Sequence, residues 1–175
     1  MAFVNQSLKT NIRIPDIDTK YLFLPKLQTI MNPRVLYLIK RAEIEATSQM
    51  GTALQDFNIT PIQFTVLYFV DYDKGDLSSA QLSRRFSMTP QSMNELVSVL
   101  EKKKLIKKTA DPAHRRILRL SLTAKGKKLL SDCNIALDTA EEILLHELSV
   151  EETQTLRNLI GKILASSRAV AAPAN

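Results

Sequence analysis

Met88-Thr89-Pro90-Gln91-Ser92-Met93-Asn94-Glu95-Leu96-Val97-Ser98-Val99-Leu100-Glu101-Lys102-Lys103-Lys104 reads as a helix with two unlike faces. Thr89 suits the N-cap, and Pro90 suits the first turn, where its missing N–H costs nothing. Met93, Leu96, Val97 and Leu100 then recur at i, i+3, i+4 and i+7, an apolar stripe along about four turns. The opposite side carries Gln91, Glu95, Ser98 and Lys102, with Asn94 on its flank. Short polar side chains of this kind can reach base edges, and the lysines that close the run suit phosphates. Such a helix fits a nucleic-acid groove.

The flanking residues support that reading. Before the helix, Leu77 to Phe86 form a short helical stretch with a capping box, Ser78 at the cap and Gln81 three residues on. With a tight turn at Ser87-Met88, the pair predicts a helix-turn-helix. After it, Leu105-Ile106-Lys107-Lys108-Thr109 and Ile117-Leu118-Arg119-Leu120-Ser121-Leu122 are apolar-biased runs. Between them lies a turn-forming basic tip, Asp111-Pro112-Ala113-His114-Arg115-Arg116, so a β-hairpin wing is expected.

The stretch Leu100 to Gly126, with Asp111-Pro112, the paired Arg115-Arg116 and Leu122-Thr123-Ala124-Lys125-Gly126, resembles the MarR family of bacterial winged-helix regulators. Thr60-Pro61-Ile62-Gln63-Phe64-Thr65-Val66-Leu67 is similar to the second helix of that family, and the resemblance runs from about Asn32 to Ala169. Two positions depart from the family pattern. Lys104 stands where Gly is usual, which implies a looser turn into the wing. His114 stands where Asp is usual, which implies a lost carboxylate brace for the wing arginine. The resemblance implies a homodimer whose terminal helices intertwine, with Arg116 entering the minor groove. It also implies a small aromatic acid bound between the dimer helices and the DNA-binding lobe.

Charge distribution fits a polyanionic partner. From Glu101 to Lys128 there are eleven Lys or Arg against two acids, a net of +9 in a chain of +6, so the remainder carries −3. A basic patch confined to one segment points to nucleic acid more than to general solubility. With 175 residues, 45% of them hydrophobic, the chain suits one domain with an extension. Four glycines and no tryptophan favour helix. A single cysteine argues against a disulfide framework, and the absence of a long apolar run or a secretory-type start argues for the cytoplasm.

The expected fold is mainly α with a small β-hairpin wing. Residues 1–31 are read as an extension, a strand-like arm with scattered Lys9, Arg13, Lys20 and Lys26. Residues 32–58 form a dimerisation helix, with Val35, Ile39, Ala42, Ala46, Met50, Ala53 and Phe57 in helical period for about six turns. Residues 59–122 are the winged helix-turn-helix, 123–170 two C-terminal dimerisation helices, and 171–175 a tail. Thr60 with Gln63 and Ser149 with Glu152 make further capping boxes, Thr123 caps another helix, and Phe64, Leu67, Tyr68 and Val70 are expected in the core.

The leading function is sequence-specific binding of double-stranded DNA by a homodimeric regulator, a repressor, that responds to a small aromatic or carboxylate effector. The DNA set is Ser79, Arg84, Arg85, Thr89, Pro90, Gln91, Ser92, Asn94, Glu95, Ser98, Lys102, Lys103, Lys107, Arg115 and Arg116. Glu95 either accepts from a cytosine amine or holds Arg84 or Arg85. Tyr37, Arg41 and Ile44 at i, i+4 and i+7, with Phe64 and Tyr68, are the candidate effector residues, although Arg41 also reads as a surface residue lying over Tyr37. Alternatives are a ligand-independent or cysteine-redox regulator and a winged-helix protein-interaction module. No catalytic set, metal or cofactor is expected. His114, His146 and Cys133 assemble no triad, and the Asp71 to Asp76 loop lacks calcium-loop spacing.

Overall fold

The structure, a computed structural model, describes residues 33–74, 76–114 and 116–170. The N-terminal extension, the C-terminal tail and Arg115 lie outside the described residues. The chain divides into two compact units between Ala42 and Glu43, within the first described helix, α1 (Val35–Ala53). The expected six-turn period to Phe57 is cut short. After Ala53 the backbone tightens into a 3-10 turn, Gln55–Phe57, closed by Asn58 in the left-handed region at φ 53°. That turn carries Leu54 into the core, fully buried, a position the periodicity missed. No residue of α1 is buried, and Val35, Leu36, Tyr37, Leu38 and Ile39 are all exposed.

In the second unit, Thr60 and Gln63 close the expected box at the start of α2 (Pro61–Tyr72): the Gln63 N–H donates to Thr60 Oγ1 at 3.3 Å, and the Thr60 N–H to Gln63 Oε1 at 3.4 Å. Phe64, Val66, Leu67 and Val70 are buried. Tyr68, expected in the core, is 43% exposed instead. Ser78 and Gln81 form the second box, opening α3 (Ser79–Arg85), with the Ser78 N–H donating to Gln81 Oε1 at 2.8 Å. Thr89 caps α4 (Pro90–Lys102), its Oγ1 accepting from the Ser92 N–H at 3.1 Å, and Met93, Val97 and Leu100 are fully buried.

Helices α2, α3 and α4 end the same way, on a residue of positive φ: Lys74 (51°), Ser87 (52°) and Lys104 (59°). After α4 the Lys104 N–H donates to Glu101 O at 2.8 Å and the Leu105 N–H to Leu100 O at 3.0 Å. This paired closure, with Leu100 and Leu105 both buried, is a Schellman motif, which glycine usually completes. The turn expected to be looser is therefore as tight as a glycine turn, held at the expense of a left-handed lysine. Lys104→Gly is expected to remove about 1 kcal/mol of backbone strain and return part of it as unfolded-state entropy. A net rise of about 2 °C in the thermal midpoint should follow, read by circular dichroism.

The wing pairs β1 (Ile106–Ala110) antiparallel with β2 (Leu118–Leu122), in register from Ile106 opposite Leu122 to Ala110 opposite Leu118. Leu120 and Leu122 face the core. The Leu120 N–H donates to Leu77 O at 2.8 Å, joining the wing to the entry of α3. Thr123 then caps α5 (Ala124–Leu144), its hydroxyl accepting from the Gly126 N–H at 3.0 Å and donating to Lys104 O at 2.7 Å. Gly126 is required sterically: a Cβ there would lie 2.0 Å from Leu105 O. The Leu-Thr-x-x-Gly run is thus the joint between the end of α4 and the start of α5. After α5, a box of Ser149 and Glu152 opens α6 (Val150–Val170), on which Leu159, Ile160, Ile163 and Leu164 are exposed.

Candidate nucleic-acid interface

The face of α4 opposite its apolar stripe forms a shallow open groove lined by Gln91, Asn94, Glu95, Ser98, Val99 and Lys102. Gln91 Nε2 donates to Glu95 Oε1 at 3.1 Å. The Thr89 and Ser92 hydroxyls, 2.8 Å apart, bond one another at the cap, and Pro90 lies exposed beside them. Val99 was missed as a member of this face. It is 39% exposed, one turn beyond Glu95, and the clue was its place outside the Met93-Val97-Leu100 stripe. A side chain of that size can pack on a thymine methyl.

The expected phosphate ligands separate into two groups. Lys102, Lys107 and Arg84 are exposed. Lys103 turns inward: its Nζ donates to Asn58 O at 2.5 Å and to Gln63 Oε1 at 3.3 Å, which fastens the end of α4 to the start of α2. Arg85 is likewise engaged, its Nη1 2.6 Å from Asp73 Oδ2 and its guanidinium 3.8 Å above the Phe69 ring. Both side chains thus have partners within the fold, neutral acceptors for Lys103 and a carboxylate for Arg85. Ser79 is half-buried in the first turn of α3.

Arg116 is exposed at the wing tip. The tip has another acid, Asp111, which is buried and braces the tip backbone and Arg119, not Arg116. Its Oδ1 accepts from the Ala113 and His114 N–H groups at 2.8 and 2.9 Å, and its Oδ2 from Arg119 Nε at 2.7 Å. Arg119 also donates to the Asp76 carbonyl, so the tip is tied through β2 to the loop before α3. The Arg119 bond, and then the His114 and Ala113 N–H groups, hold the Asp111 carboxyl below the usual carboxylate range. Since the folded value is depressed, the brace is complete above the ordinary value and is lost only as pH falls through the depressed one. The Asp111 side-chain carboxyl carbon resonance is therefore expected to stay at its ionised position from neutral pH down to about pH 4 and to move on further acidification, and the Ala113 and His114 amides report the loss of their acceptor there. The same amide resonances should already be displaced at neutral pH in Asp111→Asn.

A sequence model of the MarR family matches residues 57–117, from the turn after α1 to the wing. The HTH-type transcriptional repressor Rv2887 of Mycobacterium tuberculosis is 28% identical over 127 residues, covering 73% of this chain and 91% of the relative. Over these residues the chain is similar to the MarR family. Among solved structures of that family, the S. aureus MepR–DNA complex superposes with a TM-score of 0.65 at 26% identity, covering 77% of this chain and 99% of that one. The Mycobacterium tuberculosis MarR family protein Rv2887 in complex with p-aminosalicylic acid gives 0.63 at 25% identity, covering 75% and 98%. The curated relatives are named as HTH-type transcriptional repressors or regulators, and the MepR neighbour is bound to DNA.

The other candidate residues fall as follows. Tyr37 and Arg41 lie in the first unit and Ile44, Phe64 and Tyr68 in the second; Tyr37, Ile44 and Tyr68 are exposed. Phe64, only 7% exposed, is a core residue, so it offers Tyr68 a stacking partner, with centroids 6.5 Å apart, and offers a ligand little surface. Cys133 is fully buried, and desolvation, then the Asp132 charge, push its thiol up to about 11. Lys128, which might have opposed that, pairs with Asp132 at 2.8 Å. A redox-responsive thiol needs the opposite environment. Among the described residues no cluster of His, Cys, Asp or Glu could hold a metal ion, and no helix is long and apolar enough to cross a membrane.

Proposed function

We propose that the chain is a homodimeric, cytoplasmic repressor that binds a pseudo-palindromic operator and is released by a small aromatic or carboxylate ligand. The observation that carries the reading is the exposed polar groove of α4 beside the exposed arginine of a braced wing. In this reading Gln91, Ser92, Asn94 and Ser98 contact base edges, and Lys102, Lys107 and Arg84 hold phosphates. Arg116 enters a narrow minor groove. Second-copy association is supported by the apolar side chains left exposed along α1 and α6, more than a lone chain keeps in water. Twofold pairing would set two recognition helices about one DNA turn apart.

The ligand half of the proposal is supported by the p-aminosalicylic acid complex of the Rv2887 protein. Tyr37 and Arg41, one turn apart on α1, supply the aromatic and cationic groups that an aromatic acid would use. Release requires unequal ligand affinity for the DNA-bound and free conformations.

The test is fluorescence anisotropy on a labelled duplex from upstream of the protein's own gene, titrated at several salt concentrations against a scrambled duplex. Binding about 10³-fold tighter than to the scramble, with a steep negative dependence on log salt, is the expected result. Equal and weak binding to duplexes from that region and from a genome-fragment selection would overturn it.

A further inference from the structure

Glu95 is anomalous in its surroundings. It is exposed on the face of α4, in the groove that also holds Lys102 and just ahead of the basic segment that runs from Glu101 to Lys128. Among the described residues no cation pairs with it. Arg85 is committed to Asp73, and Glu101, the other acid of the helix, has Lys108 at 2.7 Å. Among the described residues its hydrogen-bond partner is the Gln91 amide, which donates to Oε1 at 3.1 Å, and the residue lines the groove. A carboxylate carried into DNA on such a helix meets phosphates of its own sign. It is tolerated only where the base edge donates hydrogen bonds to it.

We infer that Glu95, oriented by Gln91, selects a cytosine in each operator half-site. This rests on the DNA-binding reading above and deepens it by naming the base chemistry at one position. The major-groove edge of cytosine offers the N4 amine alone, a donor with no adjoining acceptor. Guanine presents O6 and N7, two acceptors that repel a carboxylate, and thymine presents O4. Adenine has an amine, but its N7 acceptor stands next to it. Cytosine is therefore the one base whose edge suits an acceptor-only side chain. The Gln91 bond holds the carboxylate in place before DNA arrives, so less side-chain freedom is lost on binding.

The experiment is selection of duplexes from a randomised pool by the full-length protein, followed by sequencing, for the wild type, Glu95→Ala and Glu95→Gln. Circular dichroism and thermal melting verify that the variants fold, as expected for an exposed position. The wild type should prefer cytosine by about tenfold or more at one position of each half-site. In Glu95→Ala that position should flatten to within about twofold of uniform, with the rest of the site retained. In Glu95→Gln it should move toward adenine, whose N6 and N7 match an amide. Retention of the same cytosine preference by Glu95→Ala would overturn the inference while leaving operator recognition intact. Failure of the wild type to enrich any sequence would instead overturn the DNA-binding reading, and the inference with it.

Discussion

Gly126→Ala should be the most destabilising single-methyl change in the second unit. The added Cβ would stand 2.0 Å from the Leu105 carbonyl oxygen and 2.9 Å from its carbon, both backbone atoms that no rotamer change can move. Relief requires the start of α5 to retreat from the end of α4. That retreat would stretch the bonds from the Thr123 N–H to Leu105 O (3.0 Å) and from the Thr123 hydroxyl to Lys104 O (2.7 Å). Overpacking against immobile atoms costs about 3 kcal/mol, and loss of the cap adds about 1 kcal/mol. A fall of about 10 °C in the thermal midpoint is expected, measured by calorimetry. Thr123→Ala, which loses the cap without the clash, should fall by about a third as much. Equal midpoints for Gly126→Ala and the wild type would mean that α5 does not approach Leu105 this closely.

Arg116→Ala should lower specific DNA affinity by about 1–3 kcal/mol while leaving the mass of the oligomer unchanged. Its guanidinium is exposed at the tip of a hairpin whose own acid, Asp111, is already occupied by Arg119 and two backbone N–H groups. Among the described residues no hydrogen bond or ion pair is lost with it, so the effect should fall on binding and should include a shallower salt dependence. Arg85→Ala gives the contrast. That side chain is held between Asp73 and the Phe69 ring, so its removal should lower the melting temperature more than it changes the salt dependence. Anisotropy titrations beside melting curves separate the two. Wild-type affinity in Arg116→Ala would remove the wing from the DNA contacts.

What could be read from the sequence was local. Thr60 with Gln63, Ser78 with Gln81 and Ser149 with Glu152 were legible because a capping box is complete within four residues. The α4 stripe was legible because burial of Met93, Val97 and Leu100 repeats the helical period. Contacts between distant residues were not. Lys103 and Arg85 resembled phosphate ligands until Asn58 and Asp73, 45 and 12 residues away, supplied their partners. Leu54, the residue that precedes the 3-10 turn, was passed over for its neighbour Ala53, although its N–H still donates to Met50 O at 3.0 Å, one helical turn back. The brace at Asp111 was obscured for a related reason: its main partner, Arg119, lies across the hairpin and is found only once the register is known.

The left-handed turns at Lys74, Ser87 and Lys104 have a consequence for motion. Each carries a strain of about 1 kcal/mol that glycine would not. Opening any of them releases strain, so local fraying there costs less than fraying of a comparable unstrained turn. Two of the three, Ser87 and Lys104, bracket α4. That helix is thus pinned along its buried side and bounded at both ends by turns whose backbone glycine would relax.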